Sequence, residues 1–350
     1  MFADFPNYYI LLLGRILGGI ATSLLFSVFD AWLIRAHTDA GLGQSFLSAS
    51  FAWAAYGNSI TAIVAGLLAD KVANANSLTP MHSAGDSVRW YMGGKLNPFD
   101  TALACLIACG VAALFLWEEN YGERSSKGNS GKWYDSLRNA YYTILRKQDI
   151  LLCGAVSSLF EGSMYIFVFL WTPLLQASLP QASGKLPFGL IFSTFMVSCM
   201  AGSSLFRRQS ALYSLETIAV WVFGVAAAAM AVTALFGGFA VIQFLAMLVF
   251  EGTVGMYFPL LGTLKGAIVP EDQRAAIYNV FRIPLNCIVL FSLLTHLSPT
   301  TSFALNAVLL GTATVLMGRL KTLRQQSEDA SEAAETSDLL LEQMPKDETV

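Results

Sequence analysis

The chain has 350 residues, 55% hydrophobic and 13% charged, with a formal net charge of −3. Soluble domains carry about 25% charged residues. Here the apolar residues fall in runs of about the 20 that cross a bilayer core, which excludes a soluble globular chain. No basic patch interleaved with aromatics points to nucleic acid. The five cysteines, Cys105, Cys109, Cys153, Cys199 and Cys287, lie in apolar runs without CxxC or Cys/His spacing, so no metal or other cofactor is expected.

Nine apolar segments follow in chain order: 8–34, 46–69, 101–117, 150–176, 188–206, 215–236, 239–262, 277–298 and 300–319. They are apolar in every direction, which predicts helices, since open sheet edges cannot face lipid. The fold class expected is therefore an all-α integral membrane bundle. The alternating short segments of an outer-membrane barrel are absent.

The basic residues orient this bundle. Arg35 follows the first segment, and Arg124, Lys127, Lys132, Arg138, Arg146 and Lys147 follow the third. Arg207 and Arg208, then Lys265 and Arg274, then Arg319, Lys321 and Arg324 follow the fifth, seventh and ninth. The other connections hold Lys71, Arg89, Lys95 and Lys185. By the positive-inside rule the odd connections are cytoplasmic, the chain's N-terminus outside and its C-terminus inside. The membrane is the plasma membrane or an endomembrane.

A weak repeat divides the segments by three. Phe29-Asp30-Ala31, Phe160-Glu161-Gly162 and Phe250-Glu251-Gly252 place an acid on the first, fourth and seventh segments. Neighbouring units are inverted, because three is odd. This plan resembles the major facilitator superfamily, which has four such units. The resemblance implies nine helices of an expected twelve, with the first three lacking. It divides the chain into a three-helix unit (1–117), an inter-domain loop (118–149), a six-helix half (150–320) and a disordered acidic tail (321–350). A rival register starts from Gly66-Leu-Leu-Ala-Asp70-Lys71, which resembles the superfamily's motif between its second and third helices, but it would put the six basic residues after the third segment outside.

Closer resemblance runs from about residue 10 to 320. It rests on Gly14-Arg15-Ile-Leu-Gly18-Gly19, the Leu159 to Pro173 run through Glu161 and Tyr165, Tyr257-Phe-Pro259, Val269-Pro-Glu271 and Phe281-Arg282-Ile-Pro284. These are similar to the molybdate-anion transporter family. The resemblance implies a molybdate or related oxyanion substrate moved by alternating access, and no enzyme activity. Asp30 stands where that family is expected to carry Glu.

Charges at bilayer depth are costly and are functional candidates by default. A tetrahedral dianion needs positive charge and several donors, and arginine stays charged when buried. Arg15 and Arg282 are the candidate cations. Tyr278 and Asn286 share a helical face with Arg282, Tyr165 stands one turn from Glu161, and Asn58 lies mid-segment. Asp30, Glu161 and Glu251 are candidates for coupling or gating, the last two by pairing with the arginines or by carrying protons. Between the third and fourth segments, Tyr134 to Leu145 is predicted as an interfacial helix. In the tail, Glu335, Leu339 and Leu340 form an acidic dileucine pattern of the kind sorting adaptors read. The rival functions are an organic-solute carrier on the same fold and a non-transporting membrane partner.

Overall fold

The computed structural model describes residues 7–82, 89–117, 133–178, 187–295 and 297–343. They fold as ten helices: α1 (Tyr8–Asp39), α2 (Gln44–Ala75), α3 (Asn97–Leu116), α4 (Trp133–Arg146), α5 (Gln148–Ser178), α6 (Phe188–Gln209), α7 (Leu215–Leu235), α8 (Ala240–Ile268), α9 (Arg274–Leu294) and α10 (Pro299–Gln343). Eight of the described helices are long and apolar enough to cross a membrane, and α1 has an apolar stretch over Tyr8–Thr22. The chain is thus an all-α, multi-pass membrane protein. α4 is the amphipathic helix expected between the third and fourth segments. The loop before α3 also contains a small hairpin, β1 (Thr79–His82) against β2 (Arg89–Met92), with Thr79 opposite Met92 and His82 opposite Arg89.

The core belongs chiefly to α5–α10. Phe160, Phe167, Phe195, Phe223, Phe250, Tyr257 and Phe303 are buried in one cluster. Phe160 stacks on Tyr257 with centroids 4.1 Å apart and planes 3° from parallel. α7 and α5 pack on α10, and α6 packs on α8. The first three helices are far less covered. α3 buries none of its residues, and Leu11, Ile16, Leu24 and Leu25 of α1 are exposed. Outward apolar faces of this kind suit lipid, which satisfies apolar side chains as well as protein does.

Two contacts bring backbones unusually close. A Cβ on Gly255 would lie 1.8 Å from the carbonyl oxygen of Cys199, and one on Gly202 would lie 1.9 Å from that of Gly252. Ser198 Oγ on α6 donates to the Leu248 carbonyl on α8 at 2.6 Å. Small residues therefore set the α6–α8 separation, the usual device where no hydrophobic effect drives helices together.

The first helices meet the last six along α2 and the end of α1. α2 lies on α6 and α8, and α1 on α9. The Phe51 ring occupies the space beside Gly262, and Phe192 sits against Gly66. At the end of the bundle carrying α4, Arg35 pairs with Glu271 in the turn between α8 and α9, and Thr143 Oγ1 donates to Gln273 Oε1 at 2.8 Å.

Several boundaries differ from the sequence expectation, α1 running on to Asp39 and α2 to Ala75. The seventh segment was expected to end at 262, but α8 continues to Ile268. No glycine turn or proline interrupts it before Pro270, and Lys265 is a good helix former. Likewise α10 runs to Gln343, through residues expected to be disordered. That stretch is rich in Ala, Glu and Leu, which propagate a helix once it is started.

The α6–α8 contact leads to a direct test. Gly255→Ala must push the Cys199 carbonyl aside, and overpacking of this kind costs about 1–3 kcal/mol. Gly224→Ala, whose new methyl would find its nearest atom at 3.8 Å, should be neutral or slightly stabilising. Thermal unfolding of the two variants in detergent compares them, with Gly255→Ala expected to melt earlier.

Candidate functional site

Three donors converge on one carboxylate oxygen in the interior of the bundle. Glu161 Oε1 on α5 accepts from Ser157 Oγ at 2.9 Å, from Tyr257 Oη at 2.8 Å and from Lys265 Nζ at 3.3 Å. Ser157 stands one turn before Glu161 on the same face of α5, and Tyr257 stands two turns before Lys265 on α8, so each helix presents its pair together. The stack of Phe160 on Tyr257 fixes the phenol. Lys265 and Glu161 are 14% and 19% exposed, so this is an interior ion pair.

Two further helices complete the cluster. The Tyr278 ring of α9 lies 5.6 Å from Lys265 Nζ, close enough for a cation–π contact. Asp30 of α1 is within electrostatic reach of both Lys265 and Glu161. Behind Tyr278, Arg274 is 6% exposed, and its Nη2 donates to the Gly266 and Val269 carbonyls at 3.3 Å each. Tyr278 Oη lies against the Arg274 guanidinium, whose Nε makes no well-aligned hydrogen bond of its own. The cluster therefore sets two cations, Lys265 and Arg274, against two carboxylates, Asp30 and Glu161, with hydroxyls from Ser157, Tyr257 and Tyr278 around them. What it can do chemically is hold an anionic oxygen group. Among the described residues, no group of three or more His, Cys, Asp or Glu side chains could hold a metal.

Of the residues singled out by sequence, the structure brings Asp30, Glu161 and Tyr278 together here. Glu251 lies elsewhere on α8, 7% exposed and within electrostatic reach of Cys199 on α6. Arg15 and Asn58 are exposed on α1 and α2, and Asn286 is exposed on α9. A Cβ on Gly18 would meet nothing within 4 Å. Tyr165 and Arg282 are partly buried. The cation that holds Glu161 is Lys265. Glu335, Leu339 and Leu340 lie in the last turns of α10, where side chains fall outside the described ones.

Sequence reasoning missed Lys265, Arg274, Ser157 and the role of Tyr257. Lys265 and Arg274 were counted as loop charges that orient the bundle, and both are largely buried. The signal was present in the eight-residue spacing of Tyr257 and Lys265, with no helix breaker between Pro259 and Pro270.

Comparison with known proteins agrees with this architecture. Residues 1–247 match the MFS_5 family, described as sugar transporters with 12 transmembrane segments. A molybdate-anion transporter from Xenopus tropicalis is 33% identical over 324 residues, covering 90% of this chain and 66% of the relative. Another from Takifugu rubripes is 32% identical over 316 residues, covering 82% and 61%. The chain thus spans just under two thirds of the length of these relatives. The crystal structure of FucP, a major facilitator superfamily transporter in the outward conformation, superposes with a TM-score of 0.47 at 13% identity, covering 64% of this chain and 54% of that one. The match over residues 1–247, on a bundle of membrane-length helices, establishes that the chain belongs to the MFS_5 family of the major facilitator superfamily.

Proposed function

We propose that the protein is a transporter of molybdate or a related oxyanion, and not an enzyme, with Lys265, Tyr257 and Ser157 as the centre of its substrate site. The observation that carries this reading is the convergence of an ammonium and two hydroxyls on one oxygen of Glu161. A carboxylate oxygen and the oxygen of a tetrahedral oxyanion ask the same of their surroundings, namely positive charge and short donors. Glu161 holds the place of the substrate in the conformation seen, and the oxyanion takes that place when the carboxylate swings away. Tyr278 Oη and the Arg274 guanidinium against it supply further donors for the oxygens that a carboxylate lacks. The relatives named molybdate-anion transporters support the choice of substrate.

Alternating access then follows from the arrangement of the helices. Asp30 comes from α1, and Ser157, Glu161, Tyr257, Lys265 and Tyr278 from α5, α8 and α9, so the site lies between the three-helix unit of residues 1–117 and the six-helix half of 150–320. The Arg35–Glu271 pair closes the end of the bundle that carries α4. The excess of basic residues at that end makes it the cytoplasmic one, with the chain's N-terminus outside and its C-terminus inside, in the plasma membrane or an endomembrane. Arg282 and Arg15 remain candidates for later contacts along the substrate's path, with Tyr165, Asn58 and Asn286 as neutral lining. Glu335, Leu339 and Leu340 fit a sorting-adaptor site on the cytoplasmic tail. The description of the matching family as sugar transporters favours a second reading, a carrier of an organic solute.

Uptake and stability together separate binding from structure. Lys265→Met strands Glu161 without its cation, and breaking a buried pair in this way costs about 3–5 kcal/mol. The double variant Lys265→Met/Glu161→Gln removes both charges. It should recover most of the wild-type melting temperature in detergent while molybdate accumulation by cells stays abolished at equal surface expression. Restored accumulation in the double variant would show that Lys265 only balances Glu161. Competition distinguishes the two substrate readings. Sulfate and tungstate should inhibit uptake, whereas inhibition by sugars alone would favour the organic-solute carrier.

A further inference from the structure

Lys265, Arg35 and Arg324 are each met by a carboxylate, those of Glu161, Glu271 and Glu216. Arg207, near the end of α6, is met differently. Its guanidinium makes no ion pair and no hydrogen bond among the described residues. It lies over the Trp53 ring of α2, 4.9 Å from the centroid. Such a cation–π contact satisfies one face of the guanidinium and leaves its edge of N–H donors free. α2 and α6 run antiparallel, with Ser59 beside Cys199 and Gly66 beside Phe192. Trp53 and Arg207 therefore meet at one end of the bundle. It is the end where Phe51 adjoins Gly262 near the close of α8, and so the end that carries α4. A cavity of about 140 Å³ opens beside the guanidinium, lined also by Ala52, Trp53, Tyr56, Ser203 and Ser204. No carboxylate lines it. The Ser203 and Ser204 hydroxyls both donate to the Met200 carbonyl, at 2.9 and 3.1 Å. Either can turn to a ligand while the other keeps that carbonyl satisfied. Trp53 Nε1 and Tyr56 Oη make no hydrogen bond among the described residues.

A charged planar fork with hydroxyls and an indole N–H around it suits a phosphate. What surrounds the cavity says where that phosphate comes from. Ile60, Val64 and Leu67 stand seven, eleven and fourteen residues after Trp53, on the same stripe of α2, and all are exposed. Val197 and Leu190 stand seven and fourteen residues before Ser204 on α6 and are exposed as well. These apolar stripes lead from the cavity along membrane-length helices, a course for acyl chains that a free phosphate has no use for. Tryptophan, tyrosine and arginine at a helix end mark the headgroup level of a bilayer. The neighbouring Arg208 is exposed and adds a second positive charge. A headgroup ammonium would meet two guanidinium groups and no carboxylate, so the site favours a headgroup without one. We propose that the seam between α2 and α6 binds the phosphate of an anionic phospholipid, with Arg207, Ser203, Ser204, Tyr56 and Trp53 as its donors. α2 belongs to the three-helix unit of residues 1–117 and α6 to the six-helix half, so the bound headgroup bridges the two. The inference concerns binding alone and stands whether or not the chain transports molybdate.

The test has two readouts. In native mass spectrometry of the purified 350-residue protein, phosphatidylglycerol should bind in preference to phosphatidylcholine of the same chains. Arg207→Gln should weaken phosphatidylglycerol at least about tenfold, the value of one charge-assisted hydrogen bond. Arg208→Gln removes an equal charge outside the cavity and should weaken it far less. Equal binding of the two lipids, or equal losses in the two variants, would overturn the proposal, since either means that charge near the surface acts without a pocket. Glycerol 3-phosphate carries the phosphate without the chains and should not displace the lipid at equal concentration. Displacement would make this a site for a soluble anion and overturn the lipid reading. The second readout needs no variant. A phosphatidylglycerol bearing a photoreactive group on its headgroup should label the wild type at α2 near Trp53 and α6 near Arg207. Labelling confined to other helices would overturn the proposal.

Discussion

Glu161 Oε1 receives an ammonium, a phenol and a serine hydroxyl from two helices, and the interior of the bundle is organised around that oxygen. Lys265 and Glu161 form a largely buried ion pair, so losing either strands the other's charge, and each fixes the other's helix. Tyr257 links this pair to the aromatic core through its stack on Phe160. The Tyr278 ring closes the other side of the ammonium. Disturbing one member therefore disturbs α5, α8 and α9 together.

Packing divides the labour differently along α8. Gly252 and Gly255 bring it against α6 at backbone distance, which leaves that contact little room to deform. Toward its other end, Lys265 and Tyr257 face the polar cluster. α2 meets this part of the bundle from Ser59 beside Cys199 to Phe51 beside Gly262. A movement of α2 is thus felt, through Phe51, close to Lys265.

The membrane helices were legible in the sequence because apolar runs of bilayer length admit few other structures. Their ends were not, because hydropathy falls before a helix does. α8 extends past 262 with Lys265 on it, and α10 extends past Gln325 on Ala and Glu. The same limit hid the site. A lysine just beyond an apolar run looks like a loop charge that orients the protein, and only the helix carries it inward to Glu161. Asp30, Glu161 and Glu251 were found by their repeat, but the repeat made them look equivalent. Their difference comes from what the other helices place near them, Lys265 in one case and Cys199 in another, and that information is tertiary. Asn58 looked costly at mid-segment and is exposed here, because a span's lining depends on which helices flank it.

The most direct test of the account is a structure of the protein determined with molybdate present. The account predicts a tetrahedral anion seated on Lys265 Nζ and Tyr257 Oη, with the Glu161 carboxylate displaced from both. An intact Glu161–Lys265 pair with the anion bound at another place would contradict it.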